Sequence, residues 1–410
     1  MATKSVIVLG GSGAVGSHAA RTLALHDAFD RVIVADLDLA RAEELVGQWG
    51  VDGAEAARVD VSDPAGLRAA LGGVDLVLNC TGPFYALAVP VLEAVLDAGV
   101  KQYVDVCDDV DATLQLLEMD GPVREAGACA LMGMGNSPGV TNLLGRLAAD
   151  LLLDEVEAVD IFHAHGGEPF EGAGVVAHRL HGMDMEIPMF LDGELRHVGF
   201  FEPDGLALRR EVALHLVGDA VPVYPYPHPE QITMPRHMTL RRVTNRGTVL
   251  PDEYFQLTTE MARLGLTSDE PLDVGGQAVV PLDFTIAYLL RQRDAILART
   301  EFGSQRGCAK VVARGTRRGE FRQYNFSMAS EDQALGEGTG IPAAMGAILM
   351  QQGKVEGHGV FPPEACVKPM DFMGLVRPVL ELSQKGGSFQ GIIVEKVDEQ
   401  GNVEQVDLPF

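Results

Sequence analysis

Cationic side chains are scarce in this chain: 32 Lys and Arg stand against 58 Asp and Glu, a formal net charge of -26. Neutralising a phosphate backbone takes clustered Lys and Arg, so nucleic acid and anionic membrane surfaces are excluded as partners. An anionic ligand has to be held by local dipoles and a few placed arginines. Cysteine is sparse too. Cys80, Cys107, Cys129, Cys308 and Cys366 are scattered without a CxxC pair, which argues against a disulfide framework or a zinc site. No apolar run approaches the roughly 18 to 20 residues of a membrane span, and no basic region followed by a long apolar segment opens the chain. A cytoplasmic protein with reduced thiols is expected.

What is present is a globular composition, 47% hydrophobic and 22% charged, in 410 residues. That length exceeds the ~250–300 residues at which one core stops growing, so more than one domain is expected.

The stretch Ser5 to Ser17, SVIVLGGSGAVGS, organises the start. A β-branched run breaks into Gly10, Gly11, Gly13 and Gly16 and leads into an apolar helical pattern. Strand, glycine turn and helix together make a cradle for a pyrophosphate on the N–H groups of a helix N-terminus. GxGxxG (Gly11, Gly13, Gly16) is the preferred spacing, and Gly10 also permits GxxGxxG. Asp36, at the tip of the strand RVIVADLD, stands about 20 residues beyond the last glycine, where a ribose-binding acid is expected.

Strand and helix patterns alternate to Met134 and predict six parallel strands, including Ala57 to Val61, Val74 to Cys80, Gln102 to Val106 and Ala128 to Met134, with one helix over Ala112 to Ala126. Ligands bind at the carboxyl ends of such strands. The candidates for the cofactor are therefore Gly11, Ser12, Gly13, Ala14, Val15, Asp36, Asp60, Val61, Cys80, Thr81, Gly82 and Asp105. From about Val156 to Ser330 short strands and Gly, Pro and His punctuation predict an α+β domain with a mixed or antiparallel sheet. HMTLRRVT is one of its expected strands. The fold class is thus α/β, a Rossmann-type doubly wound parallel sheet plus a second α+β domain. The expected boundaries are 1–138, 139–335, and 336–410 for C-terminal helices and a hairpin around Glu399 to Asn402 that return to the dinucleotide-binding domain.

CTGPF (Cys80 to Phe84), YVDV (Tyr103 to Val106), GNSPGVTNLL (Gly135 to Leu144), HPEQITMPR (His228 to Arg236) and TGIPAAMGAILMQQGKVEGHGVFPPE (Thr339 to Glu364) carry a family likeness. The chain resembles the saccharopine dehydrogenase family, with its saccharopine reductases, lysine 6-dehydrogenases and carboxynorspermidine dehydrogenases. The resemblance implies a nicotinamide-dependent oxidoreductase acting on a C–N bond of an amino acid, with C-terminal helices folded back on the nucleotide domain; a homodimer is expected. Two positions depart from the family pattern. Ser137 stands where saccharopine reductases carry an acid before the Pro-Gly pair, and the strand ending in Cys107 lacks a hydroxyl-rich run. The substrate therefore stays open between saccharopine-type cleavage and direct ε-deamination of lysine.

Oxidising an amine needs a hydride acceptor and a group that takes the proton. Asp108, just past the strand QYVDV, is the expected catalytic acid, orienting the substrate ammonium. A substrate carboxylate calls for a planar bidentate donor; Arg236 is the first choice and Arg179 the second, with Ser137 and Cys107 as further substrate-binding candidates. His228 and Glu230 are expected in the pocket wall. His163, His165, His178 and His181 do not form a closed ligand set, and no metal is expected. Asp36 repels a 2′-phosphate, so NAD is the expected cofactor, with NADP admitted. A nucleotide-sensing or scaffold protein without catalysis is the alternative of another class.

Overall fold

In a computed structural model of the chain, residues 3–331, 335–355, 357–383 and 391–408 are described. The N-terminal unit runs β1 (Ser5–Leu9), α1 (Gly16–Leu25), β2 (Arg31–Asp36), α2 (Leu39–Trp49), β3 (Ala54–Arg58), α3 (Pro64–Ala70), β4 (Leu76–Asn79), α4 (Phe84–Asp97), β5 (Gln102–Asp105), α5 (Val110–Glu118), α6 (Asp120–Glu125) and β6 (Cys129–Leu131). Val6, Ile7, Val8 and Leu9 are buried on both faces of β1, as a central parallel strand between helical layers requires. β1 pairs in parallel with β2 and β4. The order β6-β5-β4-β1-β2-β3 reverses direction between β1 and β4, and a ligand crevice opens at such a switch point.

A seventh parallel strand, Gly359–Phe361, adds beside β6. It was not expected, because three residues carry no alternation. The helix Leu335–Gln351 lies on α1 through its small residues: a Cβ on Gly340 would sit 2.4 Å from the Val15 carbonyl oxygen, and one on Gly336 2.7 Å from that of Ala14. The C-terminal helices thus return to the nucleotide domain. The terminal hairpin does not. Its strands Ile392–Val397 and Val403–Gln405 extend the second sheet through Glu320–Ser330, which corrects the expected 336–410 unit.

That second sheet is mixed and ten-stranded among the described residues. Its central strand Glu155–Gly166 runs parallel to Arg242–Leu250 and antiparallel to Arg306–Arg317. HMTLRRVT lies too early for its strand, because His237 still closes the helix Glu230–His237 and pairing begins at Arg242. The helix expected over Ala112 to Ala126 is two, broken at Met119. No helix among the described residues is long and apolar enough to cross a membrane.

Candidate active site

The carboxyl edge of the parallel sheet faces the second domain across a cleft of about 400 Å³. Gly13, Ala14 and Val15 line one end of it, and Asp108, Ser137, His178, Arg179, Tyr226 and His228 line the part shared between the domains. The glycine turn is shaped for close approach. Gly10 has φ +70° with a Cβ position 2.9 Å from the Cys80 carbonyl oxygen, and at Gly16 a Cβ would lie 2.1 Å from the Gly10 carbonyl oxygen. Gly10 is therefore part of the turn, and the GxxGxxG spacing describes it as well as GxGxxG does. Asp36 ties β2 to this turn: its Oδ2 accepts the Ser12 N–H at 2.9 Å and its Oδ1 the Asp38 N–H at 3.1 Å. A bare backbone cradle at a helix N-terminus with an acid at the neighbouring strand tip fits the pyrophosphate and ribose of a dinucleotide.

Asp108 stands in the loop after β5, and its side chain is 32% exposed, toward the cleft. His178, on the helix Ala173–Asp184 of the second domain, reaches across to it. Its Nε2 lies 3.3 Å from Asp108 Oδ2 and its Nδ1 2.5 Å from Asp109 Oδ1. Asp109 does not cap α5 with its side chain; its other oxygen accepts the Tyr85 N–H at 2.8 Å. Burial pulls the His178 pKa down, but the Asp108 charge and the Asp109 hydrogen bond outweigh it and raise the group to about 9. Burial lifts Asp108 to about 6 against the pull of His178. The pair can hold a proton beside the cleft and pass it on.

Ser137 Oγ lies 3.1 Å from His228 Nδ1 and donates to Glu230 Oε1 at 2.5 Å. Asn245 Nδ2 donates to Ser137 Oγ at 3.0 Å, and Thr141 Oγ1 to Glu230 at 2.8 Å. Burial keeps the His228 pKa well below its ordinary value and raises that of Glu230. Ser137 therefore both lines the cleft and fixes the imidazole of His228.

Arg179, one residue beyond His178, is buried against Glu171 in an ion pair, with its guanidinium 5.4 Å from the Tyr254 ring centre. Burial opposes its charge, and the Glu171 carboxylate restores and strengthens it. Arg179 lines the cleft wall, and the Tyr226 and Tyr254 hydroxyls lie against the guanidinium, whose buried Nη1 makes no hydrogen bond of good geometry.

Other sequence candidates fall elsewhere. Arg236 is exposed on the last turn of Glu230–His237 and does not line the cleft; six residues of helix carry it about 9 Å from Glu230. Cys107 is fully buried, its Sγ 3.9 Å from Thr113 Oγ1, and burial pushes its thiol well up. Asp105 is buried as well. Its Oδ1 accepts the N–H groups of Cys107 at 3.0 Å and Gly133 at 2.7 Å, so it ties the end of β5 to that of β6 and does not face the cofactor's side. Cys80 and Gly82 line the cleft. Gly11 and Thr81 hold the turns behind it, through Gly11 N–H to Ala35 O at 2.9 Å and Thr81 N–H to Asn79 Oδ1 at 3.0 Å. Asp60 binds its own loop through Ser62, and with Val61 it lies at the end of β3, beyond Asp36. Tyr226 was not singled out, since a tyrosine in a Pro-rich segment carries no signal of direction; Asp109 was among the acids expected near the nicotinamide.

A doubly wound sheet with a glycine cradle, opening on an acid, a histidine and a buried arginine, defines a pyridine-nucleotide oxidoreductase. Family models match in two places, the saccharopine dehydrogenase NADP binding domain over residues 6–131 and the saccharopine dehydrogenase C-terminal domain over 202–387. The chain belongs to the saccharopine dehydrogenase family, and it is a nicotinamide-dependent oxidoreductase acting on CH–NH or CH–NH2 donors. It is 25% identical over 381 residues to carboxyaminopropylagmatine dehydrogenase of Synechocystis sp., covering 87% of this chain and 91% of that protein. It is 26% identical to carboxynorspermidine synthase of Vibrio alginolyticus over 80% of this chain and 83% of that one. Its fold resembles that of apo saccharopine dehydrogenase (L-Glu forming) from Saccharomyces cerevisiae, with a TM-score of 0.66, 16% identity, and coverage of 96% of this chain and 100% of the other.

Proposed function

We propose that the chain transfers hydride between a nicotinamide and the C–N bond of an amine that carries a single carboxylate, with Asp108 orienting the ammonium and Arg179 anchoring the carboxylate. The observation that carries this reading is the place of Arg179 in the cleft wall, one residue beyond His178. Arg179 is also the one Arg or Lys among the described lining residues. One fork binds one carboxylate, whereas saccharopine would bring several. The names of the Synechocystis and Vibrio relatives likewise denote carboxy-bearing amines.

The bound nicotinamide supplies the hydride acceptor. In the oxidising direction, Asp108 takes the proton leaving nitrogen as the C–H bond gives up its hydride, and His178 shares that proton with Asp109. Water then adds to the C=N bond and splits it into a carbonyl compound and an amine; the reverse sequence is a reductive condensation. Facing walls from two domains keep bulk water from the hydride. For the cofactor we favour NAD over NADP, although the matching family description names NADP. Asp36 repels a 2′-phosphate, and the Arg41 guanidinium lies over the Phe170 ring, 4.9 Å from its centre. Five unpaired cysteines accord with a cytoplasmic place, and the exposed Leu272, Val274 and Phe284 with a homodimer.

Nicotinamide absorbance followed with a mono-carboxylated polyamine, lysine and saccharopine, each with NAD and NADP, tests the reading. Turnover of the first, with tighter NAD binding, is expected. Turnover of lysine in its place moves the reaction to ε-deamination, turnover of saccharopine alone defeats the single-carboxylate argument, and tighter NADP binding defeats the cofactor preference. No turnover of any amine favours the nucleotide-sensing alternative.

Arg179→Lys keeps a charge for Glu171 but loses the fork. Charge-assisted hydrogen bonds contribute ~1.5–3 kcal/mol, so KM for the carboxylated amine is expected to rise roughly 10- to 150-fold with kcat little changed. An analogue without the carboxylate should show no such rise.

A further inference from the structure

Asp108, His178 and His228 come from three separate segments: the loop after β5, the helix Ala173–Asp184 and the stretch before the helix Glu230–His237. One ligand atom from each lies within 4.8 Å of the other two, and all three residues line the cleft. No spacing rule could find such a set.

We propose that these three side chains form a seat for a divalent transition-metal ion of the zinc class, and that the ion competes there with the substrate's ammonium. Two imidazoles and one carboxylate are the donor set that zinc takes, whereas calcium and magnesium prefer all-oxygen cages. The outer contacts are those of a metal site. Asp109 holds His178 by Nδ1 at 2.5 Å, which turns Nε2 toward Asp108. Ser137 holds His228 by Nδ1 at 3.1 Å, which leaves its Nε2 as the ligand atom, and the His163 ring stacks on His228 at 5.2 Å between centres. A carboxylate or hydroxyl behind each imidazole fixes tautomer and orientation in this way. Three protein ligands beside an open cleft leave a fourth position for water. The metal seat stands on this geometry alone; the competition rests on the ammonium role proposed for Asp108.

Equilibrium dialysis of the untagged, chelator-treated full chain against Zn2+ and Co2+ tests the seat without any substrate. About one ion per chain is expected, with the visible absorption of a four-coordinate site for Co2+. His178→Gln and His228→Gln should each weaken binding at least tenfold, while melting temperature and dinucleotide binding confirm that the variants fold. Absence of stoichiometric binding, or binding unmoved by both substitutions, overturns the seat. In steady state, Zn2+ should raise KM for the amine and leave that for the nicotinamide unchanged. Activity lost on chelation and restored by zinc would overturn the competition. A chain that binds one zinc but turns over no amine would defeat the proposed reaction and leave the seat standing.

Discussion

Asp108→Asn should lower kcat by roughly 100- to 10,000-fold, the range a positioned acid or base contributes, while the dissociation constant of the nicotinamide cofactor stays near its starting value. The amide keeps the shape of the side chain and cannot take the proton that leaves nitrogen. His178 retains its 2.5 Å contact to Asp109, so the histidine is not set loose and the cross-domain link persists. Losing one of two adjacent acids also removes a like charge beside Asp109, which argues against unfolding as the cause of a slow variant. Steady-state rates on a confirmed amine, together with cofactor titration, check it. Undiminished turnover would move the proton to Asp109 or to the neutral His228.

Most of the parallel sheet is legible because its strands are short apolar runs, β-branched in β1 and β2, set between turn residues and helical patterns. β3 is the instructive exception. Its sequence, AEAAR, has no contrast between faces, and as the outermost strand it is only partly buried, so the alternating Ala57, Val59 and Val61 drew the expected strand three residues too late. Side-chain direction was harder to read than strand position. Asp105 ends β5 and Asp108 follows it by three residues, yet Asp105 turns inward to two backbone N–H groups while Asp108 turns to the cleft. Alternation does not continue through a loop, so chain position could not separate them.

Arginine choice failed for a related reason. Arg236 follows His228 closely in sequence, but His228 lines the cleft just before the helix Glu230–His237, whereas Arg236 is exposed on its last turn. Arg179 was the second choice from sequence, and the helix Ala173–Asp184, which presents His178 and Arg179 to the same cleft, puts it ahead of Arg236. The histidines are a further case. His163 and His165 alternate on one strand, whereas His178 and His228, which both reach the cleft, are separated by several elements and joined only by folding.

Gly13→Val should raise the dissociation constant of the nicotinamide cofactor at least roughly 100-fold and leave the melting temperature almost unchanged. The four glycines of the turn do different things. A side chain on Gly16 would drive into the Gly10 carbonyl at 2.1 Å, and one on Gly11 would meet the Val8 carbonyl at 2.8 Å and the Val34 side chain at 2.9 Å; substitution at either breaks the turn. At Gly13 the one neighbour within 4 Å of a Cβ is the Gly10 carbonyl oxygen, at 3.2 Å, which a few tenths of an ångström of movement relieves. Gly13 lines the cleft beside the start of α1, so the branched side chain fills the space where a pyrophosphate meets the backbone. Steric crowding of ~1–3 kcal/mol adds to the loss of charge-assisted hydrogen bonds of ~1.5–3 kcal/mol each, and two such losses exceed the ~2.7 kcal/mol that a 100-fold change requires. Calorimetric titration with NAD and NADP, paired with thermal melts of Gly13→Val and Gly16→Val, reads both halves of the argument. Unchanged affinity in a folded Gly13→Val protein would place the nucleotide elsewhere on the sheet edge.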